Sequence, residues 1–172
     1  PLAAAHEALL LAPQASRPAG EGFAWSFARD LASITQALED VASAHPGPAA
    51  ALGLCGFSMG CTMALWLLAH HPGRFRFCAL FGMGSAFEPW ELDDGGVPLE
   101  RLRLSTGNTP IFLAVDQQDP AGCSTYLDAN AGTLRNLGFH VAVFSPNERQ
   151  HWVTPTMQQA FSEWLRGIES TR

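Results

Sequence analysis

The chain has no lysine: all ten of its basic residues are arginine, against sixteen acids. That absence rules out Schiff-base chemistry, Ser-Lys dyads and a phosphate-gripping P-loop lysine together. Charge is scarce, at 15% of 172 residues, and its balance is −6. An acidic surface with scattered arginines argues against nucleic acid as a partner. Nowhere is there a run of about 18 uncharged apolar residues, so no membrane span is expected. The N-terminus lacks a basic segment leading into an apolar one, so no signal peptide is visible, although processing would leave no trace of one. The four cysteines, Cys55, Cys61, Cys78 and Cys123, show no C-x-x-C pairing of the metal-binding kind. Three lie in apolar runs, and all four read as buried thiols of a reducing, cytoplasmic compartment.

What the chain does have is the stretch Ala51 to Cys61, an apolar run that breaks into Gly56-Phe57-Ser58-Met59-Gly60 and continues in helical pattern. A buried strand turning sharply into a helix puts the serine at the apex in strained backbone geometry. Chain then crowds close on either side, so the positions two before and two after the serine should be nearly free of side chain. Gly56 and Gly60 fill both. Such a nucleophile elbow lifts the Ser58 hydroxyl above the sheet and aims the next amide, that of Met59, at a developing oxyanion.

Around the elbow the chain alternates strand and helix over one domain, residues 1–172. A short strand is expected at Ala8 to Ala12, ended by Pro13, and loop over Gln14 to Gly22. Phe27, Leu31, Ile34, Leu38 and Val41 recur at spacings of four and three, which predicts a helix ending near Ala44. The helix from Met59 to His70 is apolar nearly all round, so it should be the most buried. Strands follow at Phe77 to Phe81, Pro110 to Val115 and His140 to Phe144. A helix carrying Leu127, Ala131, Leu134 and Leu137 should end at Gly138, and a last helix should be capped by Thr154 with Pro155 in its first turn. Strands this uniformly apolar are buried on both faces. The fold class is therefore α/β, three layers around a mostly parallel sheet of about five strands. Residues 83–109 show no periodicity, and a connection this long is usually functional. Its Phe87, Trp90 and Leu92 are too apolar for solvent and are expected to lie over the elbow as a lid and acyl-pocket wall.

A serine hydroxyl needs a base, normally a histidine oriented by a carboxylate, and on this architecture both come from loops at the elbow's edge of the sheet. His151 alone of six histidines lies between the last strand and the last helix. His70, His71 and His45 sit at helix C-termini, His140 opens a strand at the opposite edge, and His6 is near the chain end. Asp116 and Asp119 both follow the fourth strand. Asp119 lies further into the loop, before Pro120, and is favoured as the acid; Asp116 is the alternative and Asp128, within a helix, the fallback.

These residues resemble the α/β-hydrolases, in particular the phospholipase/carboxylesterase branch that includes the acyl-protein thioesterases. Gly56 to Gly60 is similar to that branch's elbow, with Cys61 where a second glycine is usual. Leu11 to Pro18 followed by Trp25 resembles its segment leading to a tryptophan near the acyl site. Val115-Asp116-Gln117-Gln118-Asp119-Pro120 resembles its H-G-x-x-D-P segment with the first two residues replaced, a register that implies Asp119 as triad acid. Gln150-His151-Trp152 resembles its histidine turn.

The resemblance implies a serine hydrolase acting on a small carboxylic ester or thioester, with Ser58, His151 and Asp119 as triad and Met59 as oxyanion donor. Trp25, Phe57, Phe87, Trp90 and Trp152 are the candidate substrate contacts, and neither cofactor nor metal is called for. An acyltransferase with the same triad and a non-catalytic binding protein are the rivals. In the resembled family an earlier strand lies between the one matched by Ala8 to Ala12 and the elbow strand, and its His-Gly loop supplies a second oxyanion donor. Only seven residues precede Ala8, so the chain is expected to be completed by a missing N-terminal segment, a second chain or a homodimer partner. Otherwise Leu9 to Ala12 must pair directly with Ala51 to Cys55.

Overall fold

The uninterrupted apolar runs do become adjacent parallel strands. The computed structural model describes residues 11–19, 22–44, 52–87, 97–107 and 109–170. Its elements are β1 (Arg17–Ala19), β2 (Gly22–Ala24), α1 (Phe27–Ala44), β3 (Leu52–Phe57), α2 (Met59–His70), β4 (Phe75–Phe81), α3 (Leu99–Leu102), β5 (Ile111–Ala114), α4 (Leu127–Leu137), β6 (Val141–Phe144) and α5 (Pro155–Ser170). Four strands form one parallel sheet in the order β3-β4-β5-β6. Each connection adds the next strand on the same side, so chain order and spatial order coincide.

Alternation along the strands divides the core in two. Cys78, Leu80, Ile111 and Leu113 face a layer built from α1, α2 and α4. Ala79, Phe81, Phe112 and Ala114 face α5, through Met157, Phe161 and Leu165. This is the three-layer arrangement expected of strands buried on both faces. Phe161 is the hub of the second layer, with Phe77, Phe81, Phe112 and Trp164 all within 6 Å of its ring centre. In α2, residues 61–65 and 67–69 are all buried, which makes it the central helix its composition predicts.

Helix ends follow their local signals. Gly138 adopts the left-handed conformation after α4 at φ 106°. Thr154 Oγ1 accepts the Met157 amide at 3.2 Å at the start of α5. Before α1, the Asp30 carboxylate reaches back to accept the Ser26 amide at 2.9 Å and the Ser16 amide at 3.3 Å. Those two bonds fasten the incoming chain to the first turn of the helix.

Three expectations need correction. Gln14 to Gly22 is not all loop, because Arg17–Ala19 pairs antiparallel with Gly22–Ala24. The proline and glycines that signal a loop here sit in and between two very short strands, where few ladder bonds are lost. Leu11 and Ala12, the described end of the strand expected at Ala8 to Ala12, are exposed and unladdered; residues 8–10 lie outside the described residues. Accordingly β3 pairs with β4 alone among the described residues, with no direct pairing from Leu11 or Ala12, and the sheet has four strands there. Being at an edge also leaves Cys55 exposed, whereas Cys61, Cys78 and Cys123 are buried as free thiols.

Of the 83–109 connection, residues 88–96 and 108 lie outside the described residues, Trp90 and Leu92 among them. Its described flanks pack on the core. Met83, Ala86, Val97 and Leu102 are buried, and Phe87 rests half-buried against the same cluster.

Candidate active site

Every strand of the sheet delivers something to the same edge. Ser58 follows β3, Gly82 follows β4, Asp116 and Asp119 follow β5, and His151 follows β6. The ladder continues just past the strand ends: the Ser58 amide donates to Phe81 O at 2.9 Å and the Gly82 amide to Ala114 O at 2.8 Å. Each loop therefore leaves the sheet from a backbone already fixed.

Ser58 stands between β3 and α2 at φ 51°, ψ −122°, a conformation that L-residues other than glycine rarely adopt. Strain of this kind is concentrated at functional positions. A Cβ on Gly56 would stand 2.6 Å from Gly60 O and 2.7 Å from the Cys61 backbone, so this glycine is obligatory. Gly60 is different. A Cβ there would meet nothing nearer than Trp25 Nε1 at 3.9 Å, so space alone does not demand glycine two residues after the serine. Cys61, fully buried, donates its thiol to Phe81 O at 3.2 Å and so ties α2 to the neighbouring strand.

Ser58, His151 and Asp119 form one hydrogen-bonded line. His151 Nε2 is 3.1 Å from Ser58 Oγ, and His151 Nδ1 is 2.9 Å from Asp119 Oδ2. The Asp119 side chain is wholly buried and the imidazole 24% exposed. The other carboxylate oxygen, Asp119 Oδ1, accepts the Ala121 amide at 2.7 Å, which holds the acid from behind. A base hydrogen-bonded to a hydroxyl on one nitrogen and to a buried carboxylate on the other can accept the hydroxyl proton while keeping its tautomer.

Asp116 has another task. It is completely buried, and its carboxylate accepts three backbone amides, from Gln118 at 2.8 Å, Glu148 at 2.7 Å and Arg149 at 3.1 Å. It thereby ties the loop bearing Asp119 to the loop bearing His151, across Arg149 at φ 58°. Local sequence cannot show this, since two of the three partners lie more than thirty residues away. Gly82 is the second residue missed. At φ 60°, a Cβ on it would press on the His151 ring at 3.3 Å and on Phe57 at 3.2 Å. The only signal in the sequence is a glycine directly after a buried strand.

The aromatic candidates divide. Phe57, 37% exposed, lies 5.0 Å from the His151 ring and 6.4 Å from that of Trp152, which is 67% exposed. Together they make an apolar lip beside the serine. Trp25 packs half-buried on the core with its indole nitrogen near Gly60. The Met59 amide begins α2, where no carbonyl of the preceding turn is available to it within the helix.

Two of the remaining described histidines have structural partners. His70 Nδ1 bonds Trp66 O at 2.9 Å, and His71 Nε2 bonds Thr35 Oγ1 at 2.9 Å. Burial and the nearby Arg74 hold the His71 imidazole below the usual histidine range. His140 is exposed at the opposite edge of the sheet.

The parallel sheet with helices on both faces is the α/β-hydrolase fold. The Esterase family model matches residues 20–157, most of the chain, and this protein belongs to that family. Solved structures agree on the fold. An uncharacterized protein from Bacillus cereus superposes with a TM-score of 0.80 at 17% identity, covering 99% of this chain and 53% of that one. A carboxylesterase from Mesorhizobium loti superposes at 0.68 with 18% identity, covering 90% and 73%. A Bacillus cereus carboxylesterase does so at 0.62 with 20% identity, covering 90% and 68%. The chain thus spans about half the length of the first of these and about seven-tenths of the other two. No protein of curated function matches it in sequence. No described helix is long and apolar enough to cross a membrane.

Proposed function

We propose that this chain carries the catalytic triad of a serine esterase or thioesterase, working through an acyl-enzyme. The observation that carries the reading is the unbroken line Ser58 Oγ–His151–Asp119, with the serine held at positive φ at the carboxyl edge of the sheet. In the first half-reaction Ser58 Oγ attacks the acyl carbon as His151 Nε2 takes its proton. The tetrahedral oxyanion is met by the Met59 amide, and His151 returns the proton to the leaving alcohol or thiol. Water then repeats the sequence with the acyl group on Ser58. Asp119 keeps the Nδ1–H tautomer throughout and steadies the imidazolium. No metal or cofactor has a step in this scheme.

Phe57 and Trp152 beside His151, with Trp25 near Gly60, are suited to an apolar acyl or alcohol group; Phe87 and Trp90 are the further contacts foreseen from sequence. That β3 pairs on one side only among the described residues supports the companion proposal that another strand, from this polypeptide or a partner, completes the sheet and brings the second oxyanion donor. One missing donor costs roughly 2.7–4 kcal/mol of transition-state stabilisation. An acyltransferase would use the same groups with an alcohol or amine in place of water, and added acceptor in the assay separates the two. The direct test is a series of chromogenic esters of increasing acyl length, hydrolysed by the wild type and not by Ser58→Ala. Equal turnover by both would end the proposal.

A further inference from the structure

Behind the imidazole lies a cysteine that the acyl-transfer scheme does not use. Cys123 Sγ is 3.9 Å from His151 Nδ1, the nitrogen already 2.9 Å from Asp119 Oδ2. The three potential ligand atoms, one each from Asp119, Cys123 and His151, all lie within 4.8 Å of one another, and they form the one such group among the described residues. Cys123 is 7% exposed, and the His151 side chain, at 24%, borders solvent.

We propose that Asp119, Cys123 and His151 form a binding site for a borderline-soft divalent cation such as Zn²⁺ or Cd²⁺, and that its occupation switches the serine site off. The donor set of one thiolate, one imidazole and one carboxylate suits that class of ion rather than magnesium or calcium. Tetrahedral zinc, with bonds of about 2.3 Å to sulfur, about 2.0–2.1 Å to nitrogen and about 2.0–2.2 Å to oxygen, holds its donors about 3.4–3.6 Å apart; the sulfur at 3.9 Å from Nδ1 must draw in while the 2.9 Å pair of His151 and Asp119 opens, both within ordinary side-chain adjustment. The fourth position is left to water.

The proton balance explains the inhibition. A cation at Nδ1 displaces the proton that Nδ1 shares with Asp119, and a neutral imidazole then carries its hydrogen on Nε2. Ser58 Oγ faces an N–H where it needs a lone pair. The Cys123 thiol gives up one proton to solvent as its sulfur bonds the metal, so each cation bound releases one proton. Without metal, burial and the adjacent Asp119 carboxylate push that thiol up to about 11, which keeps it protonated and unreactive near neutrality. A dication offsets that repulsion.

Binding depends only on the geometry, whereas the loss of activity rests on the serine-esterase reading, and the experiment separates them. The background is Cys55→Ser, which removes the exposed thiol as a competing ligand. In that background one equivalent of Cd²⁺ should produce a thiolate-to-cadmium absorption band with release of one proton, and adding Cys123→Ser should abolish both. In parallel, Zn²⁺ should inhibit ester hydrolysis reversibly, with recovery on chelation. The inhibition constant, measured against each protein's own metal-free rate, should rise at least about 100-fold with Cys123→Ser or Cys123→Ala, since loss of even an outer partner weakens metal sites by about 10–100-fold. A cadmium band at one equivalent in a protein without esterase activity upholds the metal site and defeats only the serine reading. Absence of the band in the folded Cys55→Ser protein, or zinc inhibition indifferent to Cys123, overturns the proposal.

Discussion

Replacing Asp116 and Asp119 separately by asparagine should give opposite phenotypes, because their carboxylates face different partners. Asp119 contributes Oδ2 to His151 and Oδ1 to one amide. Asparagine there keeps the shape but can present N–H₂ to Nδ1, which stabilises the wrong imidazole tautomer. The expected loss is about 10⁴-fold in kcat with little change in unfolding free energy. Asp116 instead accepts three backbone amides while fully buried. Asparagine offers one acceptor oxygen and turns its own N–H₂ toward at least one of those donors. With hydrogen bonds to charged groups worth about 1.5–3 kcal/mol and a stranded donor about 1–3 kcal/mol, the variant should lose roughly 2–4 kcal/mol of stability. Its kcat should fall far less, through looser placement of His151. Urea unfolding and ester kinetics on both variants decide the matter. If Asp119→Asn stays active while Asp116→Asn is stable and inactive, the acid has been misassigned and the mechanism fails in that part.

Further outcomes follow from single contacts. Gly56→Ala puts a methyl against backbone at 2.6 Å and should prevent stable folding or move the elbow, whereas Gly60→Ala, with 3.9 Å of clearance, should express as a folded protein; circular dichroism and yield distinguish them. Gly82→Ala should lower kcat by displacing His151 while the protein still unfolds cooperatively, because both its φ and the 3.3 Å approach to the ring are unfavourable. Phe161→Ala removes the ring on which the α5 layer converges and should cost about 3–5 kcal/mol in denaturant unfolding. His71 has a folded pKa below its unfolded value, so its contribution to stability is present above about pH 6.5 and is lost as pH falls through the lower folded value; His71→Gln should flatten that part of the stability-pH curve.

The parts of this molecule that could be read from sequence are those set by short-range pattern. Ile111 to Ala114 and Phe77 to Phe81 are apolar without break because both faces are covered, and α2 is apolar nearly all round because it packs against the sheet. That Ser58 and His151 would meet at one edge of the sheet was legible from the loops they occupy. Asp119 was preferred to Asp116 from its place further into the loop before Pro120, and the resemblance implied the same register. What escaped was set by long-range proximity. Asp116 looks like a polar strand end until Glu148 and Arg149 are seen to donate to it, and Cys123 looks like one more buried thiol until His151 is found beside it. Cys55 reads as buried because its neighbours are apolar, yet β3 pairs on one side only among the described residues. The β1–β2 ladder was hidden by Pro18 and the glycines, whose loop signal is genuine but also fits a ladder only three pairs long.

The central claim, that Ser58 is acylated with His151 as its base, is tested most directly by intact-protein and peptide mass spectrometry after brief exposure to an activated ester. The wild type should gain one acyl group on the peptide containing Ser58 and lose it with time, and His151→Ala should acylate at least about 10³-fold more slowly. No adduct at Ser58, or ester turnover surviving Ser58→Ala, would contradict the account.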